Sequence, residues 1–310
     1  MYSRWYNVAV VLLWLATMSW LVVDKVVPPL LIGDPPNRRT ILEAKRHEPP
    51  VGWKIAFNQR SLGWALSTTT RQPSGLTEIG SRVHFDEVPL GELIPNWLRG
   101  LMRLGDLPLG ELQMDAESNL VVDALGQLSR FQSTVRLAPL DNLVKLSGEV
   151  EQSKLNLTAR WGDAHYTTEV PLPKDALPND ALSPQTQLPG LRKGQTWPVP
   201  VYSPLSPGDP LEILSAAVVG REPVLYDGRT ENAWLVIYHS DPGSGLSSNE
   251  KARGRLWVRA DGTVLKQQVM VLGSTVTFMR LSKKQTALLE KRAAESQPID
   301  GRISPQASEK

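Results

Sequence analysis

Four histidines, His47, His84, His165 and His239, are the chain's imidazoles. A helical zinc site needs two histidines on one face, as in H-E-x-x-H, and a strand site is served by H-x-H. Neither spacing occurs, so no metal site has local support. Cysteine is absent, which removes thiolate nucleophiles, thiolate metal ligands and disulfides together. No G-x-S-x-G elbow is present to expose a nucleophilic serine. Gly243-Ser244-Gly245 lacks the third glycine and the following helix that would make a phosphate cradle. Carboxylates are plentiful, and Glu149 and Glu151 share a strand face by period 2, but a solvated face explains them equally well. Asn156-Leu157-Thr158 fits the glycosylation sequon, a short pattern common by chance. Trp53, Trp64, Trp161, Trp197, Trp234 and Trp257 have the size to line a ligand cavity, although the commoner role for such residues is to fill a core. No catalytic, metal or cofactor set emerges, and the expectation is a non-enzymatic protein with no cofactor.

The elements around these residues say more. The uncharged run at positions 6–23 begins with Tyr6 and ends with Val23. At about 1.5 Å per residue, a helix of this length covers roughly 27 Å, close to a bilayer core. No small-x-small cleavage site follows, so the segment 6–27 is expected to be an uncleaved single-pass signal anchor with residues 1–5 as a short cytoplasmic tail. Arg4 precedes the run, and Lys25, Arg38 and Arg39 follow it, which does not favour an N-in topology. Long downstream domains translocate largely regardless of charge. The expected location is therefore the bacterial inner membrane, with the C-terminal body extracytoplasmic. A formal net charge of +2, with no basic block, leaves no electrostatic footprint for nucleic acid.

The rest of the chain reads as mainly β: antiparallel meander sheets, barrel-like or sandwich-like, with one or two short helices. Residues 28–50 hold Pro28, Pro29, Pro35, Pro36, Pro49 and Pro50 and read as a stiff spacer enclosing a short helix over 39–46. Residues 51–170 form a first β unit. Trp53, Ile55 and Phe57 alternate before a turn at 58–61, and Leu62, Trp64 and Leu66 alternate after it. A third strand covers 76–86. Leu112 and Met114 precede a polar run, Ala116-Glu117-Ser118-Asn119, that reads as a turn, and five more strands follow to position 170. Residues 171–200 read as a proline-rich connection. Residues 201–281 form a second β unit, with separate strands expected over 211–219 and 222–226, and its clearest turn is Ala260-Asp261-Gly262-Thr263. Ser282-Lys283-Lys284-Gln285 matches a capping box opening a helix over 282–295, and 296–310 is expected to be disordered.

One segment breaks the period-2 pattern. Ile94, Trp97, Leu98, Leu101 and Met102 recur at helical spacing, Pro95 fits a first turn, and Gly105 fits a stop, giving a helix over 94–104. These five apolar residues are the candidate ligand or partner surface. Packed on a sheet face they are a simple cover; over a cavity they are a lid.

Two stretches, Gly194-Gln195-Thr196-Trp197-Pro198-Val199-Pro200-Val201-Tyr202-Ser203-Pro204-Leu205 and Leu256-Trp257-Val258-Arg259-Ala260-Asp261-Gly262-Thr263-Val264-Leu265-Lys266, resemble segments of uncharacterised bacterial envelope proteins in which a membrane-anchored β region precedes a transglutaminase-like domain. The hairpin with Ile55 and Leu62-Gly63-Trp64 is similar to the opening of DUF3108-type periplasmic β domains. A transglutaminase-like site needs a cysteine nucleophile, which this chain lacks, so the resemblance implies only the non-catalytic β region. The expected function is binding of an envelope partner protein or an apolar ligand. A lipid carrier or sensor with 94–104 as its lid, a hydrolase with a carboxylate-based site, and a structural subunit of a secretion or division complex are the alternatives.

Overall fold

The computed structural model describes residues 4–26, 33–46, 48–58, 60–87, 113–123, 127–138, 142–151, 154–162, 164–171, 184–202, 211–240, 252–271 and 274–295. Helix α1, Arg4–Leu21, continues into a π-helical turn, Val22–Val26. The apolar window Trp5–Lys25 is long enough to cross a membrane, and none of it is buried against the protein. The Thr17 hydroxyl donates to the Leu13 and Trp14 carbonyls at 3.0 and 2.9 Å, so this polar group is satisfied inside the helix.

After α1 the chain docks onto the body. Gln195, 2% exposed, donates from Nε2 to the Asp34 carbonyl (3.0 Å) and the Gly190 carbonyl (3.3 Å), while its Oε1 accepts from the Arg192 N–H (2.7 Å). Helix α2, Arg38–Lys45, opens with Asn37, whose side chain caps the Thr40 N–H at 2.9 Å. Ile41 and Leu42 of α2 are buried, and Ile41 belongs to the main core. Part of the proline-flanked stretch expected as a spacer is thus built into the body.

Among the described residues fourteen strands, all antiparallel to their neighbours, make one sheet. They are β1 (Val51–Phe57), β2 (Arg60–Arg71), β3 (Thr77–Phe85), β4 (Gln113–Val122), β5 (Leu128–Ala138), β6 (Asn142–Glu151), β7 (Lys154–Trp161), β8 (Ala164–Pro171), β9 (Thr196–Tyr202), β10 (Leu211–Tyr226), β11 (Arg229–Ser240), β12 (Gly254–Val258), β13 (Val264–Val271) and β14 (Ser274–Arg280). The spatial order runs from β8 in sequence down to β1, then β14 down to β9. The chain therefore starts at the middle of the sheet, meanders out to the β8 edge, crosses to the β9 edge, and meanders back until β14 pairs with β1. Ile55 lies opposite Phe278, and Trp53 opposite Arg280. The two strand groups expected as separate units share this single sheet.

Sheets of more than about ten strands must curl or split. Here β10 approaches β13 although two strands lie between them, so the sheet curls. Its inner face gathers Trp53, Ile55 and Phe57 of β1, Val83 and Phe85 of β3, Val218 of β10, Val236 of β11 and Val258 of β12 into one cluster. Helix α3, Lys283–Glu295, covers the opposite face of β1 and β2 with Thr286, Leu289 and Ala293. The capping box is present: Gln285 Oε1 accepts from the Ser282 N–H at 3.0 Å, and the Gln285 N–H reaches Ser282 Oγ at 3.5 Å. Glycine at position 52 lets α3 approach closely: a Cβ would stand 3.0 Å from Thr286 Oγ1 and 3.2 Å from Leu289.

Three local readings are corrected. Ala116-Glu117-Ser118-Asn119 is the middle of β4, not a turn; Ala116 and Ser118 face inward beside Val83 and Ser81, where small side chains fit. Residues 211–219 and 222–226 form one strand, β10, carrying a bulge between Val218 and Gly220. Strand β9 begins within the expected connection and runs on into the expected second unit. Pro198 and Pro200 are tolerated there because β9 is an edge strand.

Candidate functional site

At one end of the curled sheet an open cavity of about 340 Å³ is bordered by the α2–β1 link, the β10–β11 and β12–β13 turns, and the start of α3. Its deepest polar pair is Glu48 and Arg280. Glu48 Oε1 accepts from Arg280 Nη2 and from Gln187 Nε2 (2.7 Å), while Arg280 Nη1 donates to the Thr186 and Val264 carbonyls at 3.1 and 3.3 Å. The guanidinium also lies 5.8 Å from the centre of the Trp53 ring. Arg259 and Asp261 pair at 2.8 Å on the cavity rim. Partial burial would raise Asp261, but the hydrogen bonds from Arg259 and from the Thr263 N–H outweigh it and hold the carboxyl at about 2. Lys283 also lines the cavity and makes no ion pair among the described residues. The Tyr226 hydroxyl donates to the Leu281 carbonyl at 3.5 Å. Nearby Lys45 is pushed below the ordinary lysine range by desolvation, which Glu48 opposes. Most charge here is neutralised within the chain. The space is at the low end of small-molecule sites and suits a small polar group rather than an acyl chain.

On the face bearing α3, Trp64, His84, Asp115 and Arg136 stand side by side across β2 to β5. His84 Nδ1 meets Asp115 Oδ1 at 2.8 Å, Nε2 meets Asp86 Oδ1 at 3.3 Å, and the ring stacks on Trp64 with centroids 5.5 Å apart. The hydrogen bond to Asp115 raises the His84 pKa against partial desolvation, and the same bond lowers that of Asp115. Both ring nitrogens are engaged by carboxylates, so this dyad has no imidazole nitrogen turned toward a substrate.

Beside it runs a groove of about 220 Å³ lined by Thr68, Glu78, Arg82 and Glu117 among others. Glu78 accepts from Gln72 Nε2 at 3.0 Å and from Asn119 Nδ2. Arg82 donates to the Ala293 carbonyl near the end of α3. Gly80 keeps the groove open: a Cβ there would sit 2.7 Å from Thr68 Oγ1.

The inner face holds a row the sequence did not reveal. Ser67, Ser81, Ser118 and Ser133 pair successively across β2, β3, β4 and β5. The Ser67 and Ser81 hydroxyls, with the Trp53 indole N–H one layer away, are buried without a hydrogen-bond partner among the described residues. Serines at period 2 in a polar sequence look like a solvent face, which is why alternation alone did not flag them.

The candidate surface residues Ile94, Trp97, Leu98, Leu101 and Met102, and the whole helix over 94–104, lie outside the described residues, as do His47 and Gly243-Ser244-Gly245. His165 lies on β8 and His239 on β11, so neither joins His84. Glu149 and Glu151 are exposed. Trp53 is in the core, Trp197 and Trp234 pack against it, and Trp257 sits in a second cluster, where its indole donates to Glu222 Oε2 at 3.1 Å. Among the described residues no three His, Cys, Asp or Glu side chains group as metal ligands.

No protein-family model matches the chain, and no curated protein matches it in sequence. Among solved structures it is similar to a β-barrel-like protein of a domain of unknown function, DUF1849, from Brucella abortus. That match has 9% identity and a TM-score of 0.44 and covers 75% of this chain and 95% of the other. It is also similar to a DUF1089 family protein from Pseudomonas aeruginosa, with 16% identity and a TM-score of 0.35, covering 66% of this chain and 88% of the other.

Proposed function

We propose that the protein is a single-pass, membrane-anchored binding protein of the bacterial envelope, held by α1 in the inner membrane with its β body on the extracytoplasmic side. It works without catalysis by engaging a partner protein or ligand. The observation that carries this reading is the contrast at the α1 exit. The helix exposes apolar side chains along its length, while a few residues later the chain is fastened to the body through Gln195 and Asp34. That arrangement sets the sheet close to the bilayer.

Binding is favoured over catalysis because the polar groups that come together are spent on one another. Glu48 is held by Arg280 and Gln187, Asp261 by Arg259, and both nitrogens of His84 by carboxylates. The apolar inner face is filled by the chain's own side chains and by Ile41 of α2, so a long apolar ligand finds no open room among the described residues.

The absence of cysteine makes a direct test available. Lys291→Cys on the exposed side of α3 should react with a membrane-impermeant maleimide in cells whose outer barrier has been opened. Labelling only after the inner membrane is lysed would reverse the orientation. Native mass spectrometry and crosslinking of the detergent-solubilised chain would then identify what it holds.

A further inference from the structure

The two edges of the sheet differ. On β9 the prolines Pro198 and Pro200 remove two N–H donors, which blocks a further strand from pairing there. On β8 no proline precedes Pro171, no lysine or arginine is present, Glu169 is the one carboxylate, and among the described residues no strand pairs with its outer side. The side chains of Ala164, His165, Tyr166, Thr167 and Glu169 are exposed, Tyr166 at 66%.

The register of β7 and β8 fixes which backbone groups point outward. Trp161 is opposite Ala164 across a two-residue loop, and such a tight turn makes its flanking residues a hydrogen-bonded pair. Hydrogen-bonded and non-hydrogen-bonded pairs alternate along an antiparallel ladder. Arg160–His165, Thr158–Thr167 and Asn156–Glu169 are therefore the non-hydrogen-bonded pairs. His165, Thr167 and Glu169 consequently turn both N–H and C=O toward the free edge. The Thr158 and Thr167 hydroxyls, 3.5 Å apart, agree with side chains drawn close at such a pair.

We infer that β8 pairs antiparallel with β8 of a second copy of this chain, about a two-fold axis at Thr167. In this register Thr167 faces Thr167 of the second copy, and His165 faces its Glu169. All three outward-facing residues of each strand then exchange hydrogen bonds, and an imidazole stands opposite a carboxylate at both ends. A shift by two residues in one direction brings in Pro171, which has no N–H to give. A shift in the other carries Glu169 past the ordered pairing, into the β7–β8 turn. The interface is isologous and closes at two copies, leaving the proline-blocked β9 edges outermost.

The test uses the full-length chain in detergent micelles and in native membranes, with a single introduced cysteine as the chain's only thiol. Thr167→Cys should form a disulfide-linked species of twice the monomer mass under mild oxidation, since directly opposed residues in a hydrogen-bonded antiparallel pair stand about 5.5 Å apart at Cα, within disulfide reach. Ala164→Cys, far from its own copy in this register, should give at least tenfold less. Adding His165→Pro to Thr167→Cys removes an outward N–H and leaves the β7 ladder intact, so it should abolish the crosslink while the circular dichroism spectrum is retained. Sedimentation of the unmodified chain should show a dimer that His165→Pro converts to monomer. Equal crosslinking at positions 164 and 167, a monomer at all concentrations, or a crosslink to a protein of another mass would overturn the pairing.

Discussion

Glu48 Oε1 receives a hydrogen bond from Arg280 Nη2 although 232 positions separate them in sequence, and the two side chains are only 7% and 11% exposed. The pair joins the entry to β1 to the end of β14, the seam where the two arms of the sheet meet. Removing one member strands the other away from water, which costs about 3 kcal/mol or more. Arg280→Met should therefore lower the urea midpoint sharply with an unchanged slope. Glu48→Gln, which keeps an acceptor oxygen for Arg280, should cost less. Equal losses in the two variants would contradict this account of the seam.

The pair of His84 and Asp115 makes stability depend on pH. His84 has a raised pKa, so its contribution is complete below the unfolded value of about 6.5 and is lost as pH rises through the folded one. Asp115 has a lowered pKa, so its share is present above about 3.9 and lost as pH falls through the folded value. The pair is thus fully formed between roughly pH 4 and 6.5. His84→Asn should cost about 1 kcal/mol near pH 5.5, and the gap to the parent chain should close by pH 9. Thermal melts across that range decide it; a pH-independent gap would show that the Trp64 stack, not charge, is what the substitution removes.

Gly63 lies beside the bulge in the β1–β2 pairing, and a Cβ there would sit 1.9 Å from the His84 carbonyl oxygen of β3. Backbone cannot swing aside as a side chain does, so Gly63→Ala should destabilise by about 3 kcal/mol and disturb the His84 pair. Gly220→Ala, with nothing within 4 Å of its added methyl, should be close to neutral. Melting temperatures of the two variants measured together test the contrast.

Gln195→Ala would leave the Arg192 N–H and the Asp34 carbonyl without their partner. A cost of about 1–3 kcal/mol is expected, and the link between α1 and α2 should be cut faster by a protease while the β body resists. Unchanged cleavage at that link would mean that the fastening lies elsewhere.

The sequence disclosed the fold class well and the sites poorly, for one physical reason. Period-2 alternation marks strands whose inner residues are apolar, so β1 with Trp53, Ile55 and Phe57 is readable, whereas in β2 the alternating Trp64 and Leu66 stand on the α3 face and Ala65 and Ser67 turn inward. It fails where inner positions are small and polar: Ala116 and Ser118 in β4 passed for a turn. Local patterns such as Asp261-Gly262 and the Ser282–Gln285 cap were legible because turns and caps are decided by neighbours. The contacts of Glu48 with Arg280 and of His84 with Asp115 are not local. Nothing in either residue's surroundings announces its partner, since the pairing of β1 with β14 and of β3 with β4 creates it.

Because β1 lies beside β14, the first strand after α1 and α2 finds its second neighbour last. Gly52 receives its hydrogen-bond acceptor from Thr286, 234 positions later. If the body is threaded through the membrane from its amino end, the middle of the sheet must wait, one flank bare, until nearly the whole length has crossed. Such a molecule needs protection while it is being exported, and truncations from the carboxyl end should strip stability from its centre rather than from its periphery.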